Sequence, residues 1–240
     1  MKNIIIAIGM FTLLALQQSC VLDHVFDCEH GRGEIIEESF RIDDVHSIDL
    51  RMDAIVFLTQ GDDREVVISG QANIIDEIDF RVRNRELVID NHRCIRNFDE
   101  IQIFITVPDI RELSIAGSGK ISSQNQLNVN DLQLSISGSG DMDLDIVGDD
   151  VSGRISGSGS MKLSGLIDDL NFTVSGSGTL RAFDLESQTA NVTISGSGDV
   201  EITVIEALDV RISGSGNVYF RGDPIIDSRI SGSGRVVDDN

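Results

Sequence analysis

The segment Ile194-Ser-Gly-Ser-Gly198 decides the fold, because the chain repeats it, almost letter for letter, seven times before Val236. A near-constant period of this length is typical of a stacked repeat protein, in which each unit buries its apolar face against its neighbours. The sequence therefore predicts an all-β fold, a right-handed parallel β-helix (β-solenoid) with seven Ser-Gly-Ser-Gly coils of about 18–21 residues. The copies begin at Ile115, Ile136, Ile155, Val174, Ile194, Ile212 and Ile230, with successive starts 21, 19, 19, 20, 18 and 18 residues apart.

Apolar and polar residues alternate within each copy. A β-branched residue precedes the glycines, and an apolar residue such as Ile121 or Val200 returns two positions after the second glycine. Counting by twos places both glycines on the inner side of the chain and the serine between them on the outer side. We expect the glycines to face inward, since a bent, narrow coil leaves no room for side chains there. They are Gly117, Gly119, Gly138, Gly140, Gly157, Gly159, Gly176, Gly178, Gly196, Gly198, Gly214, Gly216, Gly232 and Gly234.

A second corner is predicted about eight residues after the first, at Gly148-Asp-Asp150, at Gly165 with Asp168-Asp169, and at Gly222-Asp-Pro224. The acidic pairs there are either solvated turns or, if they lie one above the other, ligands that share a Ca²⁺. A meander of hairpins is the competing architecture, but hairpins seldom require one phrase at a constant period.

Residues 34–110 lack the repeated phrase but contain β-type runs such as Ile55-Val-Phe-Leu58, separated by turn residues. A helical turn is expected only in 73–80. We interpret this segment as irregular β coils of the same stack rather than a separate β-domain. The predicted solenoid domain spans 34–237, with an irregular part (34–110) and regular repeats (111–237).

The first 19 residues resemble a lipoprotein signal peptide. A positive start at Lys2 precedes a 13-residue apolar run, Ile4 to Leu16, which is too short to span a bilayer. A small residue, Ser19, then stands directly before Cys20, although Gln17 occupies the position where such cleavage boxes place Leu. The sequence predicts lipidation of Cys20 and a tether over 20–33. Plain secretion with a spare cysteine is the alternative.

The charge balance excludes several classes of partner. The chain carries 19 basic and 40 acidic residues, a net charge of -21, which would repel nucleic acid. It has no Trp and one Tyr, so aromatic platforms for sugars or bases are nearly absent. The stretch Ala116-Gly-Ser-Gly-Lys120 is not a phosphate loop, because Ser114 and Ile121 fill positions that such a loop reserves for Gly and for Ser or Thr. Neither nucleic acid nor nucleotide is expected to bind.

Two further cysteines, Cys28 and Cys94, are expected to form a disulfide in an exported chain. The alternative is a zinc site from Cys28-Glu-His30 and His92-Arg-Cys94, whose one-residue spacing is unusual. No nucleophilic triad can be assembled for the serines, because all four histidines precede residue 100. The abundant carboxylates leave a glycosidic acid pair open.

Several segments together resemble a known family. They are Val45-His-Ser-Ile-Asp-Leu50, Phe57-Leu-Thr-Gln-Gly61, Val107-Pro-Asp-Ile110 and the Ser-Gly-Ser-Gly repeats. From about residue 40 to 237 the chain resembles the putative auto-transporter adhesin, head GIN domain family of Bacteroidetes and related bacteria. The resemblance implies an exported all-β domain, commonly on a lipoprotein, without catalytic residues or a cofactor.

The predicted function is therefore a non-catalytic, adhesin-like or scaffolding lipoprotein of the outer membrane, facing the periplasm or the cell surface. Its expected partners are the membrane, through the N-terminal lipid anchor, and an envelope protein or glycan. The alternative is a polysaccharide-binding or polysaccharide-degrading β-helix protein.

Overall fold

The computed structural model of the protein describes residues 28–240, which form β-strands almost throughout, as the repeats predicted. The signal peptide and Cys20 lie outside the described residues. The N-terminal part contains β1 (Glu29–His30), β2 (Ile35–Arg41), β3 (Ser47–Leu50), β4 (Ile55–Gln60), β5 (Glu65–Gln71), α1 (Ala72–Ile75), β6 (Ile78–Arg83), β7 (Glu86–Asn91), β8 (Ile95–Arg96) and β9 (Gln102–Val107). The repeat part contains β10 (Glu112–Gly117), β11 (Lys120–Ser123), β12 (Leu127–Gly138), β13 (Asp141–Gly157), β14 (Ser160–Gly176), β15 (Thr179–Gly196), β16 (Asp199–Gly214), β17 (Asn217–Arg221), β18 (Ile225–Gly232) and β19 (Arg235–Asp238).

Each regular repeat is one coil with two walls. In β13 the chain leaves one Ser-Gly-Ser-Gly corner along 141–147, turns at a second corner, and returns along 150–157 to the next corner. We call the first wall of a coil the exit wall and the second the entry wall. Successive coils pair in parallel, as Ile136, Ile155 and Val174 do when they align in register. The predicted β-solenoid is confirmed, since a meander of hairpins would give antiparallel neighbours.

The parallel register arranges inward side chains in columns. Ile136, Ile155 and Val174 are each 0% exposed and form one column of the entry wall. Burying an aliphatic side chain of this size stabilises by about 1.5–3 kcal/mol relative to leaving it in water. No coil buries its apolar side chains alone, so each coil depends on the one before and after it.

The irregular N-terminal part continues the same stack. β3 pairs in parallel with β10, and β4 pairs in parallel with β11. On their other side, β3 pairs with β7 and β4 with β9, again in parallel. The order of coils in space therefore differs from the order in sequence, because the β3–β4 coil lies between the β7–β9 coil and the first repeat.

Antiparallel strands close the N-terminal end. β6 pairs with β7, β5 with β9 and β2 with β5, all antiparallel. Phe40 of β2 packs edge-to-face on Phe80 of β6, with ring centroids 5.0 Å apart. The helical turn expected over 73–80 is wrong in extent, because α1 ends at Ile75 and Phe80 already belongs to a strand. Ile75 is buried, so the short helix contributes an apolar plug to this end.

The C-terminal end has a different construction. Within residues 28–240, β18 pairs only with β16, and β19 pairs only with β17. The side chain of Asn240 covers part of this end, since its Nδ2 donates to the Gly222 carbonyl at 2.8 Å and its Oδ1 accepts from the Gly222 N–H at 2.9 Å. Every residue of β18 is exposed.

Candidate functional surfaces of the solenoid

The first glycine of each corner bends the backbone. Gly176 has a φ of +125°, and its six counterparts have φ between +131° and +138°, a region that side chains rarely adopt. A Cβ on Gly176 would lie 2.5 Å from the carbonyl oxygen of Gly157 in the preceding coil. The inward orientation expected from sequence is wrong for this column, because the positive φ turns the Cβ position along the stack and leaves the residue partly exposed. The column comprises Gly117, Gly138, Gly157, Gly176, Gly196, Gly214 and Gly232.

The second glycine of each corner faces the interior. Gly178 is buried, and a Cβ there would lie 2.9 Å from the Gly159 carbonyl oxygen and would overlap the Ile155 side chain of the preceding coil. This column comprises Gly119, Gly140, Gly159, Gly178, Gly198 and Gly216, all buried, and Gly234 of the last coil, which is half-buried. The second glycine is therefore required by packing rather than by backbone conformation.

The serine between the two glycines points outward in every coil. The Ser177 N–H donates to the Gly157 carbonyl of the preceding coil at 2.9 Å, so the ladder of backbone hydrogen bonds continues around the corner. The side chains form an exposed row of hydroxyl groups spaced by about 4.8 Å, the distance between neighbouring strands. The row comprises Ser118, Ser139, Ser158, Ser177, Ser197, Ser215 and Ser233.

An acidic column stands at the second corner. Asp131, Asp150 and Asp169 are in register in successive coils, and Thr189 of the following coil donates its hydroxyl hydrogen to Asp169. Partial desolvation, followed by the charges of Asp169 and Asp131, raises the pKa of Asp150. Asp150 and Asp169 lie one above the other, which is the arrangement that the Ca²⁺ alternative requires. No group of three or more metal-ligating side chains arranged around one point occurs in residues 28–240.

A disulfide joins Cys28 to Cys94, which are 66 residues apart in sequence and have Cα atoms 4.5 Å apart. This bond and the alternative zinc site would use the same sulfur atoms, so they exclude each other. β1 pairs with β8 beside the disulfide, and Glu29 accepts hydrogen bonds from Arg32 (2.6 Å) and Asn73 (2.7 Å). Residues 28–32 are therefore fixed to the body, and the tether expected over 20–33 is wrong for these residues.

The described histidines contact residues of the N-terminal part and do not approach the serine row. His46 lies between Asp44 and Asp109, with nitrogen-to-oxygen distances of 3.3 and 3.0 Å. The His30 Nδ1 is 3.2 Å from the Asn97 amide. A serine nucleophile needs a base beside it. No Ser–His hydrogen bond occurs along the row in the part of the chain that the structure describes.

Two phenylalanines form an aromatic patch on the outside of the exit wall. Phe57 of β4 and Phe104 of β9 stack with ring centroids 5.0 Å apart and an interplanar angle of 19°. Phe104 is 39% exposed. The sequence analysis did not identify this patch, although alternation along Ile103-Phe-Ile105 places the ring on the face opposite its two buried neighbours.

The comparisons with known proteins agree with this geometry. The model of the family described as "Putative auto-transporter adhesin, head GIN domain" matches residues 45–224. The chain belongs to this family. The match begins just before β3 and ends just before β18, so it covers the stacked coils up to β17. None of the curated proteins matches the chain. None of the helices in residues 28–240 is long and apolar enough to cross a membrane.

Solved structures share the fold of this head GIN domain. A putative adhesin from Bacteroides fragilis superimposes with a TM-score of 0.82 at 22% identity, covering 87% of this chain and 99% of that chain. A putative adhesin from Parabacteroides merdae gives a TM-score of 0.71 at 18% identity over 88% and 98% of the two chains. A protein from Parabacteroides distasonis, described as a putative lipid binding protein, gives 0.74 at 24% over 88% and 99%. At these identities the similarity shows the fold alone.

Proposed function

We propose that this head GIN domain protein is an exported, lipid-anchored and non-catalytic adhesin-like module of the cell envelope. The observation that carries the proposal is the family match over residues 45–224. The surface described above supports a binding role, because it consists of long, regular walls rather than a cleft with converging reactive groups.

The surroundings of the serine and histidine side chains support a non-catalytic role. The inner columns are filled by apolar side chains, and the outward serines of the repeats have no histidine beside them in residues 28–240. His46, the histidine closest in sequence to the repeats after His92, is held between two carboxylates. A pair of glycosidic carboxylates would need a cleft that admits a sugar chain between them.

The lipid anchor is supported by the cleavage box before Cys20 and by the position of Cys28. Because Cys28 is bonded to Cys94, only residues 21–27 separate Cys20 from the folded body. Fully extended, seven residues reach at most about 25 Å. The acidic body would be held near the membrane but repelled by anionic headgroups, which favours a rod that projects away from the bilayer.

Membrane fractionation of cells that express wild type and Cys20→Ser tests the anchor. We expect the wild type in the membrane fraction and the variant in the soluble exported fraction, with the same thermal melting curve for both. Equal membrane retention of the two proteins would show that Cys20 is not the anchor.

Surface binding by the released Cys20→Ser protein tests the adhesin-like role. The labelled protein should bind saturably to isolated envelopes or to target cells and should release no product from them. A fragment that starts at residue 34 is unsuitable, because it lacks Cys28 and β1. Turnover of any envelope polysaccharide would contradict the non-catalytic assignment.

A polysaccharide-binding role is the second candidate, and the exposed Phe57–Phe104 stack favours it. Sugars commonly lie on aromatic rings, because the ring face is apolar and sugars present C–H groups to it. Phe104→Ala should then weaken binding to a glycan array, whereas Ile205→Ala, which removes an exposed apolar side chain elsewhere, should not. No glycan signal above background for the wild type would remove this candidate.

A further inference from the structure

The last coil of the solenoid exposes the residues that earlier coils bury. Ile230 is 43% exposed, whereas Ile212, the equivalent residue one coil earlier, is 2% exposed. Ile225 and Ile226 of the same strand are 83% and 40% exposed. Unpaired edge strands with apolar side chains are usually covered or blocked, because they are templates for strand addition.

The sequence of β18 is complementary to itself when it is reversed. In the stretch Ile226-Asp-Ser-Arg-Ile230, an antiparallel copy centred on Ser228 places Asp227 opposite Arg229 and Ile226 opposite Ile230. Directly opposite side chains in an antiparallel pair lie on the same face and close together. The apolar and serine residues would meet on the inner face, and the charges on the outer face.

The parallel stack inside the molecule has the opposite property. Asp227 is in register with Asp209, and Arg229 is in register with Arg211, so like charges lie beside each other. The opposite charges form ion pairs only within one strand. The nitrogen-to-oxygen distance is 3.0 Å between Arg211 and Asp209 and 3.3 Å between Arg229 and Asp227. A reversed strand would add opposite charges across the pair, which a further parallel coil of the same sequence would not.

We propose that β18 pairs with β18 of a second copy of this chain, antiparallel, about a two-fold axis at Ser228. Such an interface is isologous, so each contact occurs twice. On the inner face, Ile226 of one copy and Ile230 of the other would continue the core from one solenoid into the next. The two Ser228 hydroxyls would meet on the axis and hydrogen-bond to each other.

The exit wall of the last coil, which contains β19, does not need to pair with a second copy in this arrangement. The Arg221 guanidinium holds Asp239 at 3.0 Å, and Asn240 occupies the Gly222 backbone groups. These contacts satisfy polar groups next to β19 and leave β18 as the unprotected edge at the C-terminal end of the described residues. The inference is independent of the lipid anchor and of the adhesin-like role.

A cysteine at residue 228 of the full chain tests the axis directly. Directly opposite residues of an antiparallel pair have Cα atoms about 4.5–5.5 Å apart, within the range that a disulfide bridges. Ser228→Cys should therefore give a covalent dimer in the exported protein that reductant dissolves. The wild-type protein shows how much covalent dimer forms through Cys20. Ser152→Cys, which places the thiol at an exposed position of the entry wall in the middle of the stack, shows how much forms by random collision. Equal dimer yields from residues 228 and 152, or a cross-link from 228 to another protein, would overturn the proposal.

Charge exchange gives a second, reversible test by sedimentation of the full chain. Arg229→Asp should weaken dimerisation by about tenfold or more, because two attractive pairs become repulsive. The double variant Asp227→Arg with Arg229→Asp should restore it, since the reversed sequence is again complementary. Arg211→Asp makes the same charge change one coil inside and should leave dimerisation unchanged. A monomeric wild type, or a double variant as weak as the single one, would contradict the two-fold pairing.

Discussion

Phe172 occupies the space that Gly153, its neighbour in the preceding coil, leaves empty. The two residues are in register in one inner column of the entry wall, and Phe172 is 1% exposed. A Cβ on Gly153 would overlap the Cε2 and Cδ2 atoms of the ring. Leu134 and Val192 lie on either side in the same column. A narrow interior thus accepts one aromatic ring only where an adjacent coil gives up its side chain.

Gly153→Ala should destabilise the protein by about 1–3 kcal/mol, the usual cost of overpacking a core. Gly153 has no positive φ, so the cost comes from the contact with Phe172 and not from the backbone. Urea unfolding monitored by circular dichroism measures it.

The same substitution in a Phe172→Leu background isolates that contact. Leu is smaller, so the added methyl group of Gly153→Ala should cost clearly less there than in the wild type. Contacting residues commonly couple by 0.5–3 kcal/mol. Strict additivity of the two substitutions would show that Gly153 is not present to accommodate the ring.

Gly176→Asn should destabilise strongly although asparagine is often tolerated where glycine has a positive φ. The φ of +125° at Gly176 lies beyond the left-handed helical region that asparagine adopts, and the new Cβ would contact the Gly157 carbonyl oxygen. Ser177→Ala, one residue on, should cost far less, because that side chain is exposed. Indistinguishable thermal melts of the two variants would refute this account of the corner.

The corner glycines show which features of the fold can be predicted from the sequence and which cannot. The repeat period predicted coils, walls and register, because stacked units must place equivalent residues at equal intervals. Counting by twos failed at Gly176, since alternation assumes a continuous extended backbone and the positive φ interrupts it. Local pattern contains no separate signal for that interruption, beyond the glycine itself.

The order of the N-terminal coils could not be predicted for a different reason. β3 and β4 are recognisable as strands, but their neighbours β7 and β9 come later in the chain. Which strands pair depends on long-range packing against the first repeat and not on local residue pattern. The exposed edge of β18 was missed likewise, because burial depends on whether a neighbour is present.

Cys94→Ser should destabilise the protein by about 4 kcal/mol in the chain-entropy model, because the disulfide closes a long loop in the unfolded chain. The sequence separation of 66 residues sets this magnitude. Thermal melts with and without reductant measure it, and the variant should melt at the temperature of the reduced wild type. Two free thiols at Cys28 and Cys94 in the non-reduced, metal-free protein would contradict the bond.

Asp150→Asn should stabilise the protein at neutral pH, and the gain should disappear in acid. The pKa of Asp150 is raised in the folded protein, first by desolvation and then by Asp169 and Asp131. In the unfolded chain the carboxyl titrates near its ordinary value of about 3.9. Below that pH the group is protonated in both states, and its charge costs nothing; as pH rises through the folded pKa, the charge forms and folding stability is lost. Asparagine avoids that loss.

Melting temperatures of Asp150→Asn and wild type at neutral pH and below about pH 3.9 measure the effect. Asp63→Asn, which removes one charge from an exposed loop outside the column, separates local repulsion from the net charge of -21. Added salt should narrow the gap at neutral pH, because it screens charges between coils. If the two proteins differed in melting temperature by the same amount at both pH values, Asp150 would affect stability through packing. Repulsion between the carboxylates of the acidic column would then not contribute to the difference.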